Sequence, residues 1–155
     1  MEIIIENDTH VFARRKVDLV ALGELCMMCQ ISPTFATDPL FGVVDRLVQH
    51  IETKTYAILY ERAKKDDPIA VPVGFATWGF FSKTTMLIHK ERYRSLRKED
   101  LFSGKSATIL MASAPHGHVR ELANWTLYVL SEHKTVCSLI GGLVKEEPNG
   151  YFKEN

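Results

Sequence analysis

At 155 residues the chain is long enough for one domain with a buried core. Lys plus Arg and Asp plus Glu both number 19, so the formal net charge is zero, which argues against a nucleic-acid binder held mainly by phosphate contacts. The 46% hydrophobic and 25% charged content is ordinary for a globular protein, and no apolar run approaches the roughly 20 residues that span a membrane.

The opening Met1–Glu6 is apolar too briefly for a signal peptide and carries acids, so a cytoplasmic location is expected. Three cysteines, Cys26, Cys29 and Cys137, agree with a reducing compartment rather than a disulfide framework. Ile3–Ile5 reads as a short edge strand and Asn7–His10 as a turn. From about Val17 to Gln30, Val17, Val20, Ala21, Leu25 and Met28 recur with helical spacing. Ser32-Pro33 ends that helix, because proline disfavours helical geometry in the residue before it. Thr37-Asp38-Pro39 reads as an N-cap and first turn, followed by a helix with Phe41, Val44, Leu47, Val48 and Ile51 on one side.

Thr55–Tyr60 and the run from Val71 predict a hairpin across the Lys64–Pro68 turn. Two long apolar runs organise the rest of the chain: Val71–Phe81 and Ser106–Ser113, each suited to a strand buried on both faces. Thr84–His89 predicts a short strand, and Lys90–Ser103 a charged, irregular stretch with one helical turn. After Ala114-Pro115-His116-Gly117-His118, the positions Val119, Leu122, Ala123, Leu127 and Leu130 predict a helix to about Ser131. Thr135–Val144 reads as a last strand, whose apolar edge from Val136 offers a place for two copies to pair, and the tail from Lys145 as a frayed end. The order suits a single α/β sandwich over 1–155, with helices flanking a mixed central sheet.

Candidate chemistry centres on the strand-to-helix turn. Unpaired backbone N–H groups at a helix start favour anions. His116 and His118 there are candidates for a general base. No acid or cysteine nearby completes a zinc-like set with them, so no metal is expected. Cys26-Met-Met-Cys29 lies within an apolar helix and reads as buried structural thiols. Trp78 and Trp125 read as core, and Gly104 as a loop residue chosen for backbone conformation.

Four segments carry a family resemblance: Leu22-Gly23 leading to Ser32-Pro33; Pro72–Ser82; Glu99-Asp100 with Ser103-Gly104; and Ala114-Pro115-His116-Gly117. In this order and spacing the chain resembles the RTX toxin-activating lysine acyltransferases. The resemblance implies a GNAT-like fold, often dimeric. It also implies transfer of a fatty acyl group from acyl carrier protein to internal lysines of an RTX protoxin, with no tightly bound cofactor. Contacts to the acyl group or its carrier are implied at Ser32, Trp78 and Gly117. The position of the family's essential histidine is occupied here by Phe35, and that of its aspartate by Met111. The implied activity therefore needs a relocated base, for which His116 and His118 are the candidates, or transfer by positioning. The alternative is a catalytically inactive descendant that binds or inhibits.

Overall fold

The computed structural model describes residues 1–65, 67–86, 96–133, 135–138 and 147–148. Among these residues seven strands form one sheet in sequence order: β1 (Glu2–Glu6), β2 (His10–Arg14), β3 (Tyr56–Glu61), β4 (Val71–Phe81), β5 (Ser106–Ser113), β6 (Thr135–Ser138) and β7 (Glu147–Pro148). β1 to β5 are an antiparallel meander. β5 leads through α3 (Val119–Leu130) to β6, which lies parallel to β5, and β7 returns antiparallel. α1 (Asp18–Ile31) and α2 (Leu40–Thr53) fall between β2 and β3.

The sheet separates two apolar cores. On one face Val11, Ala13, Tyr56, Ile58, Tyr60, Phe75 and Met111 meet Ala21, Leu25 and Met28 of α1 and Val43, Leu47 and Ile51 of α2. On the other, Phe12, Leu59, Ala76, Trp78 and Ile109 meet Leu122 and Leu130 of α3, with Trp125 and Val129 partly buried against them. Apolar burial on both faces explains why the β4 and β5 sequences are nearly continuous hydrophobic runs. Two register shifts set the faces along β4 and β5. One leaves Val73 as the extra residue of β4 opposite β3, and the other leaves Leu110 as the extra residue of β5 opposite β4. A slip of one residue inverts every later side chain. Ile109 and Met111 would share a face in plain alternation, yet they belong to opposite cores.

Several sequence expectations shift. β2 was not expected; its five residues sit directly after the Asn7–Thr9 turn and continue the hairpin from β1. α1 is apolar all round, so its buried face is set by the sheet and not by its pattern, and Val17 and Val20 are left exposed. The buried face of α2 is Val43, Leu47, His50 and Ile51, while Phe41 is 84% exposed. The N-cap of α2 is Pro39 and makes no side-chain cap, whereas Asp38 ion-pairs with Arg46. The expected strand at Thr84–His89 begins instead in the helical turn Lys83–Met86, where the Ser82 hydroxyl accepts the Thr85 N–H; its remaining residues lie outside the described ones. One 3₁₀ turn, Lys98–Leu101, falls in the charged stretch. The expected last strand is present over Thr135–Ser138, and its remainder lies outside the described residues. Its edge is paired at Thr135 and Val136 by β7, so that part is not open to a second copy.

Gly104 has a different reason from the one expected. Its φ is not positive, but a Cβ there would sit 2.2 Å from the Phe81 carbonyl carbon and oxygen. Its N–H donates to the Phe80 carbonyl at 3.0 Å. Glycine is required by close backbone approach, which locks the segment after the 3₁₀ turn onto the end of β4. Gly117, by contrast, has φ +93° and open space around it.

Candidate functional site

The turn after β5 brings the chain to one corner of the sheet. Gly117 takes a positive φ, its N–H donates to the Ala114 carbonyl at 3.2 Å, and His118 becomes the N-cap of α3. The two turn histidines then part. His116 is exposed and makes no hydrogen bond among the described residues. His118 turns inward and its side chain is only 19% exposed. Its Nδ1 lies 3.2 Å from Nε2 of His10, at the start of β2, and its Nε2 lies 3.8 Å from Oε2 of Glu61, at the end of β3. His10 is held in turn by the Thr9 hydroxyl, 2.9 Å from Nδ1, and by Trp125 in a T-shaped arrangement, ring centroids 6.3 Å apart. The adjoining Arg62 places its Nη2 on Glu6 and the Asn7 carbonyl, while its buried Nε has no hydrogen-bond partner among the described residues. Sequence reasoning missed His10 and Glu61. They stand far from His118 along the chain, and the turn assigned at His10 hid a strand that begins there.

The positions that the resemblance singles out lie across the sheet. Met111 is 5% exposed and pairs in register with Thr77 of β4. Phe35 is half-buried and packs on Phe75, ring centroids 6.1 Å apart. Both join the core that α1 and α2 cover, whereas Trp125, which touches His10, belongs to the core under α3. A cavity of about 150 Å³ lies beside Phe35 and is lined by Cys26, Cys29, Ala36, Asp38, Leu40 and Val43, among others. Burial pushes the Cys26 thiol up and the Cys29 thiol up to about 12, so neither is a thiolate at neutral pH.

Of the residues with an implied contact role, Ser32 is 1% exposed and ends α1. Its hydroxyl accepts the Thr34 N–H at 3.3 Å, and its carbonyl accepts the Phe35 and Ala36 N–H groups. Ser32 thus fixes where Phe35 points without facing the cavity mouth. Trp78 is 2% exposed within the α3-side core, with the Arg14 guanidinium 5.9 Å from its ring centroid. Gly117 is exposed at the turn.

Two polar groups on the α1–α2 side differ in depth, His50 being buried and Glu24 only partly so. His50 is 4% exposed; its Nδ1 lies 2.8 Å from the Thr55 hydroxyl, and burial lowers its pKa to about 4. Glu24 of α1 accepts the Tyr60 hydroxyl at 2.6 Å and both Nε and Nη2 of Arg15. Burial and the Glu24 carboxylate hold the Tyr60 phenol above its ordinary range, and the same carboxylate keeps Arg15 charged. This network ties α1 to β3 and engages the Glu24 carboxylate on both sides.

The fold is an α/β sheet with a parallel β5–α3–β6 unit and a small cavity beside α1 and α2, whose lining mixes Phe35, Leu40 and Val43 with the polar Gln30 and Asp38. A family model, that of the RTX toxin acyltransferases, matches residues 15–140. The chain belongs to the RTX toxin acyltransferase family. It is also similar to an uncharacterized protein of Synechocystis sp., 28% identical over 117 residues that cover 76% of each chain. No helix among the described residues is long and apolar enough to cross a membrane.

Proposed function

We propose that the chain, on a GNAT-like fold, transfers a fatty acyl group from acyl carrier protein to lysine ε-amines of an RTX-type protein in the cytoplasm, without a dedicated protein base. The observation that carries this reading is that Phe35, which borders the α1–α2 cavity, packs with Met111 against one apolar core. In the reaction the amine nitrogen attacks the thioester carbonyl, the N–C amide bond forms, the C–S bond breaks, and the carrier thiol leaves with a proton. The amine must first lose its own proton. An apolar setting lowers a lysine pKa by penalising the charged form, and binding both partners supplies proximity. The absent base costs about 10²–10⁴-fold in rate, so a slow enzyme is expected. His118 is not assigned the base, since both its ring nitrogens face partners and it stands on the α3 side of the sheet. Acyl-loaded carrier protein is the co-substrate, and no tightly bound cofactor is needed. Leu19, Val20 and Phe41 are exposed apolar residues through which two copies would pair, and light scattering is the measurement that checks it.

The test is intact mass spectrometry of a lysine-bearing RTX-type partner incubated with acyl carrier protein and this chain. The expected result is a mass gain kept in His116→Ala and His118→Ala, with a rate that climbs as pH rises. Loss of the gain in His118→Ala alone would return the base to the turn. A second reading, binding without transfer, is favoured by Met111 being almost wholly buried with no titratable side chain in its place. Carrier-protein binding with no mass gain at any pH decides for it.

A further inference from the structure

We propose that His10, Glu61 and His118 form a binding site for a divalent transition-metal ion of zinc type. One ligand atom from each of the three lies within 4.8 Å of the others. The 3.2 Å between His10 Nε2 and His118 Nδ1 requires something between two imidazole lone pairs, either a proton or a metal. Two nitrogens bound to one tetrahedral ion at the usual Zn–N length are separated by about 3.3 Å. The observed spacing is therefore already that of a ligand pair. Glu61 Oε2 lies nearest His118 Nε2, the ring nitrogen that does not face His10, so its carboxylate must swing toward the His10–His118 gap to close the set, and at about half exposed it is free to do so.

The surroundings fit. The Thr9 hydroxyl on His10 Nδ1 orients the ring so that Nε2 faces His118, and it can accept the Nδ1 proton that a metal-bound Nε2 leaves there. Trp125 packs against the same ring in a T-shaped arrangement. The adjoining Arg62 guanidinium pairs with Glu6 rather than with Glu61. Two imidazoles and one carboxylate suit an ion of borderline softness and leave a coordination position for water. The three ligands come from the start of β2, the end of β3 and the N-cap of α3. An ion there clips α3 to the antiparallel meander. This site is independent of the acyl-transfer reading, which does not use these residues.

The test uses tag-free full-length protein titrated with Zn²⁺ by calorimetry and with Co²⁺ by visible absorption. Wild type is expected to bind one ion at this site, with tetrahedral Co²⁺ bands and a raised melting temperature. His10→Ala and His118→Ala should each weaken binding at least tenfold and abolish the bands, and Glu61→Gln should weaken it less. His116→Ala should bind as wild type does. Melting in EDTA identifies variants that are folded; should an alanine variant fail to fold, His10→Gln and His118→Gln replace it. No binding by wild type, or equal binding and bands in the folded His10 and His118 variants, overturns the proposal.

Discussion

The buried hydroxyl of Thr77 offers a sharp test of how the α1–α2 face is built. Its Oγ1 is inaccessible and has no hydrogen-bond partner, and its register partner across the strands is Met111. An unsatisfied buried polar group costs about 1–3 kcal/mol. Thr77→Val removes it, and a gain of about 1 kcal/mol is expected, or roughly 2–4 °C in Tm for a chain of this size. Met111→Asp restores the residue type that the family resemblance places there. It deletes a buried thioether side chain, which costs about 2–5 kcal/mol when cut back to alanine. It also buries a carboxyl among Phe75, Ile58 and the α1 side chains. Against this, Thr77 then has an acceptor opposite it, and a hydrogen bond to a charged group returns about 1.5–3 kcal/mol. The net expectation is a loss of about 3 kcal/mol or more. The double variant should be worse than the sum of the singles by about 1.5–3 kcal/mol, because the valine removes the only compensation. Burial raises the new carboxyl above its unfolded pKa, so its penalty is smallest below that unfolded value and grows as pH rises through the folded one. Urea unfolding followed by tryptophan fluorescence at several pH values measures all four corners of the cycle. Additivity within about 0.5 kcal/mol, or a destabilising Thr77→Val, would refute the reasoning.

Three other outcomes are expected. His50 is held neutral by burial, with a folded pKa near 4 against an ordinary value of 6.5, so the unfolded chain takes its proton first. Stability should fall by about 3 kcal/mol as pH drops from above 6.5 to 4, and His50→Gln should flatten that part of the unfolding-versus-pH curve. Gly104→Ala drives a Cβ onto the Phe81 carbonyl, where backbone must move, and a loss above about 2 kcal/mol is expected by chemical denaturation, since overpacking typically costs 1–3. In a Cys137→Ser background, Cys29 should resist alkylation at pH 8 under native conditions and react once the chain is unfolded in urea, as mass spectrometry will show.

How much the sequence disclosed depends on how local each signal is. The β3–β4 hairpin, the buried β5 and the three helices were legible, since periodicity and turn residues act within a few positions. β2 was too short to assert itself beside a strong turn signal. The buried faces of α1 and α2 were misjudged because α1 is apolar all round and because the sheet chose Val43 and His50 over Phe41. The shifts at Val73 and Leu110 invert faces without any mark in composition. The role of Ser32 in shaping the chain toward Phe35 lay near a recognisable helix stop. The corner at His118 was half legible: the turn was plain, but its partners His10 and Glu61 are supplied by topology alone.

The wiring of the sheet also bears on the order in which the molecule assembles. β1 to β5 pair only with sequence neighbours, so each hairpin can zip onto the one before, with α1 and α2 carried as a long excursion between β2 and β3. The corner contact joins residues 108 positions apart and must wait for the whole meander and the turn into α3. A late contact contributes to the barrier for opening, not to the barrier for closing. A ligand that tightens His10 against His118 should therefore slow unfolding and leave the refolding rate almost untouched.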